Sequence, residues 1–225
     1  MFVDPSGYLR EPGSNRNGEW SDNPDRDDYG EGSKIYVALC RLTEAYEVFP
    51  EYHSAIADLA NELRWIGNEW GSSIIDKEVA EILKIEQAKS LNTVEQVLVA
   101  AYKREAIAVQ VARVTSDMFT KMIYNEDGNG TNEANAFKHI YWSAYTTSEI
   151  GGTYTKLFLN AHEFGWYEQN LNNPEAMKMD LHNNQRGRYL GSLDSRKDLL
   201  SIVLNDIANG NAAILVNGKS VLNGR

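Results

Sequence analysis

Cysteine is nearly absent: Cys40 is the only one. A disulfide framework within the chain is thereby excluded, and so is a zinc site built on several thiolates. Proline is scarce too, with five in 225 residues, so long stretches are free of the residue that most strongly breaks helices. No apolar run approaches the roughly 20 residues that cross a bilayer. The opening MFVDPSGYLREPG has neither the basic stretch nor the apolar stretch of an export signal. Positive charge is in deficit, with 22 Lys and Arg against 32 Asp and Glu and a net charge of −10. Sequence-independent binding to polymeric nucleic acid needs the opposite balance, so that class ranks low. A nuclease whose metal supplies the positive charge stays open.

What is present suffices for a globular core. Hydrophobic residues make up 42% and charged residues 24%, enough for one substantial domain with an extension or for two small ones. Residues 1–33 are rich in Gly, Asp, Asn, Ser and Pro and lack helical periodicity, which predicts a linker. Within it, Asp4-Pro5-Ser6-Gly7 is a turn sequence. The surrounding FVDPSGYL resembles the motif that closes the shell of Rhs/YD-repeat proteins, large secreted bacterial proteins whose variable toxin region begins after a DPxG-type sequence. That resemblance implies a C-terminal effector region, secreted as part of a larger protein and delivered into a target cell. Its partners would be a cognate immunity protein and the repeat shell of the parent chain.

From residue 34 to 225 the pattern predicts an all-α effector domain, a multi-helix bundle with a small C-terminal β-hairpin. An N-terminal helical layer is expected over 34–94, a core carrying a polar site over 95–195, and a last helix and hairpin over 196–225. Apolar residues at helical spacing mark Ile35–Phe49 and His53–Trp70, with Pro50 and Gly71 as stops, and a third helix over Ile74–Ala88. Asn92-Thr93-Val94-Glu95 has the form of a capping box. It opens a run to Tyr124 without Pro or Gly, and the recurring alanines suggest a closely packed central helix. The loop Asn125–Thr131 partly matches a calcium-binding EF-hand loop, but Ala136 stands where the bidentate Glu belongs, which favours a capped turn. Helices are expected over Asn132–Ile150, Thr153–Glu168, from Asn173-Pro174-Glu175 onward, and over Arg196–Ala208. Asn217-Gly218 between two apolar runs signals the hairpin.

The chemistry is densest between Asn135 and Arg188, where NAFKHIYWSAY, LNAHEFGWYE and MDLHNNQRGR bring three of the four histidines among acids, amides and aromatics. Asn135, His139 and Ser143 are spaced four apart, as are Asp180, Asn184 and Arg188, so each trio shares a helix face. His162 and Glu163 are adjacent and can border one cleft. Polar stripes turned inward from several helices are how bundles build sites. His139, His162, Glu163 and Asp180 are candidate ligands for a zinc-like or manganese-like ion and candidate catalytic groups. Asn183, Asn184, Arg188 and Asn135 are candidates for gripping an anionic substrate. Without a metal, a histidine would serve as general base oriented by a carboxylate. The competing reading is a buried hydrogen-bond network in a non-enzymatic effector or binding module. His53 falls in another helix and is expected to be solvated.

The order AFKHIYW, AHE, MDLHNNQRGR is similar to a family of bacterial helical domains of unknown function found at the C-termini of secreted and toxin-like proteins, with the pattern AFRHAYW, AHE, MDLHNNxxGR. The matching positions are Ala136, Phe137, His139, Tyr141, Trp142, Ala161, His162, Glu163, Met179 to Asn184, Gly187 and Arg188, and Lys138 stands where Arg is common. The resemblance spans about residues 95–195 and implies no particular reaction. With the charge balance and Arg188, the polar set points to a hydrolase acting on a phosphate-containing substrate.

Overall fold

The structure is a computed structural model that describes residues 2–3, 9–10, 29–30, 32–166, 173–193 and 198–223. The Asp4–Gly7 turn and most of the linker lie outside these residues. The chain is all-α with a small C-terminal hairpin. Its elements are β1 (Phe2–Val3), β2 (Leu9–Arg10), α1 (Lys34–Val48), α2 (His53–Trp70), α3 (Ser72–Ile82), α4 (Thr93–Ala101), α5 (Lys103–Tyr124), α6 (Glu133–Gly165), α7 (Pro174–Gly191), α8 (Leu199–Ala208), β3 (Ala213–Val216) and β4 (Lys219–Leu222). No helix among the described residues is long and apolar enough to cross a membrane. The chain divides into two compact units, residues 1–103 with 160–167, and residues 104–159 with 168–225.

In the first unit α1 packs on α2, α3 and α4. Most periodic positions lose contact with water, Ile35, Ala38, Leu42 and Ala45 on α1 and Ile56, Leu59, Ala60, Leu63 and Ile66 on α2, but Val37 is half-buried and Val48 exposed; Leu39, Ile75, Val79, Val94, Val97 and Leu98 are buried with them. Each buried Val, Leu or Ile side chain contributes about 1.5–3 kcal/mol of burial. Ser33 caps α1 by accepting from the Tyr36 backbone N–H. Gly67 leaves the space that the Tyr29 ring fills, and the Tyr29 hydroxyl donates to the Arg64 carbonyl at 2.7 Å. The third helix ends at Ile82, six residues before the expected Ala88, and residues 86–90 form a 3-10 turn instead. His53 is only partly exposed: its ring stacks on Tyr46 at 3.6 Å between centroids and bonds the Tyr46 carbonyl, so it is a junction residue rather than a solvated one.

The run from Thr93 to Tyr124 is two helices. Tyr102 leaves helical geometry (φ −122°, ψ 56°) and its hydroxyl bonds the Glu62 carboxylate. Neither proline nor glycine marks this break; a tertiary contact does. α5, which belongs to the second unit from Arg104 onward, is not a central helix. It buries only the small residues Ala112, Ser116 and Thr120, while Ile107, Val111, Val114, Met118 and Met122 are exposed.

The second unit is organised by the first arm of α6. Phe137, Ile140, Tyr141 and Ala144 pack with Leu190 of α7 and with Leu199, Val203 and Ile207 of α8. On another face of the arm, Trp142 donates to the Val109 carbonyl of α5 at 3.0 Å. Two helices were expected either side of Gly151-Gly152. They form the two arms of α6, separated at Gly151, whose φ 80°, ψ 160° is non-helical. α7 begins at Pro174 behind its Asn173 cap and runs through Gly187 to Gly191. The hairpin forms in the predicted register, with Val216 opposite Lys219 and Asn217-Gly218 both at positive φ.

Candidate functional site

α7 lies against the first arm of α6 at a spacing that only glycine permits. A Cβ on Gly187 would sit 2.3 Å from the Ile140 carbonyl oxygen, and one on Gly191 would sit 2.3 Å from that of Ala144. The two glycines are one turn apart, so they make a flat strip on which α6 rests. The polar stripe beside that strip is therefore pressed against the polar face of α6. His139 and Asn184 are both buried, with His139 Nδ1 3.2 Å from Asn184 Oδ1. Ser143, one turn along α6, donates to the Asn184 backbone carbonyl at 2.6 Å. On the other side of the imidazole, Nε2 lies 3.5 Å from Asp180 Oδ1.

This arrangement has a chemical consequence. A neutral imidazole carries one N–H. If Nδ1 donates to the amide oxygen of Asn184, the Nε2 lone pair faces a carboxylate oxygen. In that tautomer a proton or a metal ion must lie between them, whereas with the ring proton on Nε2 the imidazole itself donates toward Asp180. The donor chemistry suits a divalent ion, for which imidazole and carboxylate are common ligands. In the second unit, the buried His139 and the largely buried Asp180 offer an imidazole and a carboxylate for such an ion.

Arg188 is the next residue on the α7 stripe. Burial lowers its pKa from the ordinary arginine value, with no carboxylate acting against that shift. Its Nη1 is buried without a hydrogen-bond partner among the described residues. The contrast with Arg186, two residues earlier, is instructive. Arg186 pairs through two nitrogens with Asp206 of α8, whose hydrogen bonds raise its pKa. Arg186 is thus occupied by an internal acid. Arg188 has the character of an anion-binding group awaiting its anion.

Other residues singled out in the sequence have different settings. Asn183 is fully buried, and its amide spans the Ala213 backbone, donating to the carbonyl at 3.0 Å and accepting from the N–H at 2.9 Å, which fastens β3 to α7. His182 bonds the Asn211 carbonyl through Nε2. Asn135 shares the His139 face of α6 but turns its amide to the Gly128 carbonyl at 3.1 Å, which ties down the Asn125–Thr131 loop. That loop is a turn built around an ammonium group. Lys138 Nζ reaches Asn129 Oδ1 at 3.2 Å and Asp117 Oδ1 at 3.1 Å.

In the first unit, Glu163 is buried, and His162 beside it bonds Glu95 Oε1 through Nδ1 at 2.9 Å. Glu95 also completes the capping box with Asn92. From sequence, Glu95 is only a cap residue; its histidine lies 67 positions away and no local pattern connects them.

Comparison with known proteins shows a family and nothing finer. No curated protein and no solved structure matches the chain. A family model does match residues 96–211, just over half of the chain, and carries the description Domain of unknown function (DUF6973). The match takes in both the His139–Asp180 pair and Arg188, and the chain belongs to that family.

Proposed function

We propose that this chain is the C-terminal effector (toxin) domain of a secreted bacterial Rhs-type protein and that it hydrolyses a phosphate-containing substrate. The observation that carries the hydrolase reading is the pairing of His139 on α6 with Asp180, which shares its α7 stripe with a desolvated arginine that has no acid among the described residues. Arg188 supplies charge-assisted hydrogen bonds to a phosphate oxygen, and a planar guanidinium can do so with two nitrogens at once. His139 and Asp180, both in the second unit, are the residues that would hold a divalent zinc or manganese ion. Such an ion supplies Lewis acidity toward a phosphoryl oxygen. Asn184 fixes the ring orientation of His139.

The second reading, a non-enzymatic binding module, finds support in Asn183 and Asn135, whose amides serve the hairpin and a loop. One set of measurements separates the two. Hydrolysis of an aryl phosphodiester, a phospholipid and a nucleotide is assayed for the wild type, His139→Ala and Asp180→Asn, alongside thermal unfolding. The hydrolase reading expects activity on at least one substrate and a loss of about 100-fold or more in both variants, with their cooperative unfolding retained. Absence of hydrolysis on all three, or a loss of activity that only tracks loss of fold, would favour the binding module.

A further inference from the structure

We propose that α5 is a dimerisation helix, on which two copies of this chain pair antiparallel along Ile107, Val111, Val114, Met118 and Met122. All five belong to the second unit. They are 66%, 49%, 57%, 57% and 66% exposed, in that order. Steps of three or four residues gather them on one helix face, within an arc of about 60°. The opposite face carries Ala112, Ser116 and Thr120, which are buried. α5 is therefore apolar where it meets water and small or hydroxylic where it packs, the reverse of an ordinary surface helix. Single exposed apolar residues need no explanation, but a continuous row of large ones marks an interaction surface.

The spacing is that of a coiled-coil seam, which is complemented by a second helix with a seam of its own. A second copy supplies one, and charge sets its direction. Arg104 is exposed at the N-terminal end of the stripe, and Glu126 and Asp127 are exposed in the loop that follows α5. A parallel pair would set Arg104 against Arg104 and the acids against the acids. An antiparallel pair centred between Val114 and Thr115 sets Arg104 of each copy beside the acids of the other, so both ends attract. Lys121 then lies level with Ala108 of the other copy, clear of the other Lys121. Asp117, near the centre, is held by Lys138 of its own chain at 3.1 Å. The same register lays Ile107 on Met122 and Val111 on Met118, so each stiff β-branched side chain meets a flexible methionine that can fill the space around it. Such a pairing is self-complementary and closes at two copies. The row is about 24 Å long, which is small for a protein interface, so the dimer is expected to dissociate in the micromolar range.

Sedimentation velocity of the full chain tests the pairing. Between about 2 and about 200 μM the wild type is expected to pass from monomer to dimer. Val114→Glu, which sets two carboxylates against each other at the two-fold axis, is expected to stay monomeric throughout. Val114 is exposed, so the variant should keep the circular dichroism of the wild type; Met118→Glu, one turn on, is the second variant and carries the same expectation. Cross-linking reads the direction. In a Cys40→Ser background, which removes the one native thiol, Val114→Cys is expected to give a disulfide-linked dimer on air oxidation. Ile107→Cys is expected not to, because its two copies would lie about 22 Å apart along an antiparallel pair, beyond the reach of a disulfide. A wild type that is monomeric at every concentration overturns the proposal. So does a folded Val114→Glu or Met118→Glu that dimerises as the wild type does. Ile107→Cys linking as readily as Val114→Cys would mean a parallel pair and overturn the antiparallel assignment.

Discussion

Arg188 shows what a single residue costs and what it offers. A guanidinium taken out of water without a paired acid destabilises the fold, because desolvation is not offset. Its pKa is lowered by burial, so the unfolded chain holds that proton more tightly than the folded one. For a cation the sign is then fixed: the penalty is fully present at any pH below the folded value and is relieved only as pH climbs toward the ordinary arginine value. Across neutral pH it is a constant cost. Replacing Arg188 by Met should therefore raise stability by about 1 kcal/mol, by the same amount at pH 6 and pH 8, while abolishing hydrolysis. Urea unfolding at the two pH values checks the first part; a destabilised variant would mean that the guanidinium is satisfied after all. The sequence could identify Arg188 as a candidate, but not why it differs from Arg186. That difference depends on Asp206, which lies 20 residues away in another helix.

At the scale of elements, the contact between α6 and α7 decides whether the polar stripes meet. Glycine inside a helix is normally a weakness, and Gly→Ala in an unconstrained helix gains about 1 kcal/mol. At Gly187 the sign should reverse. The added methyl would fall 2.3 Å from the Ile140 carbonyl oxygen and 2.6 Å from Ser143 Cβ, so α7 must shift. Gly187→Ala is expected to lose about 1–3 kcal/mol and to weaken hydrolysis by moving Asn184 and Asp180 off His139. Thermal unfolding of the variant checks this, and a more stable variant would contradict the packing described. Sequence periodicity placed most helices well, because apolar spacing directly records which face is buried. Gly187, a residue type that weakens helices in isolation, here serves helix–helix contact. Periodicity also joined α4 to α5, since the break at Tyr102, whose hydroxyl bonds Glu62, carries neither proline nor glycine.

Across the whole molecule, composition excluded disulfides, thiolate metal sites and a membrane-spanning helix, but it could not divide the chain. The two compact units interleave along the sequence, with residues 160–167 belonging to the first and their flanks to the second. A linear reading sees one polar segment from Asn135 to Arg188; the fold distributes it. His139, Ser143, Asp180 and Asn184 come together in the second unit, and His162 finds its acid, Glu95, in the first. Four-residue spacing made the first grouping legible, because each stripe lies on one helix. The second was not legible, because only tertiary structure brings α4 to the end of α6.

The most direct test is elemental analysis of the purified protein after dialysis without chelator, with His139→Ala and Asp180→Asn beside the wild type. A divalent site predicts roughly one transition-metal ion per chain in the wild type, lost in both variants while their helical circular dichroism persists. A wild type free of metal even after loading with zinc or manganese, or variants that retain it in full, would contradict the metal-assisted account.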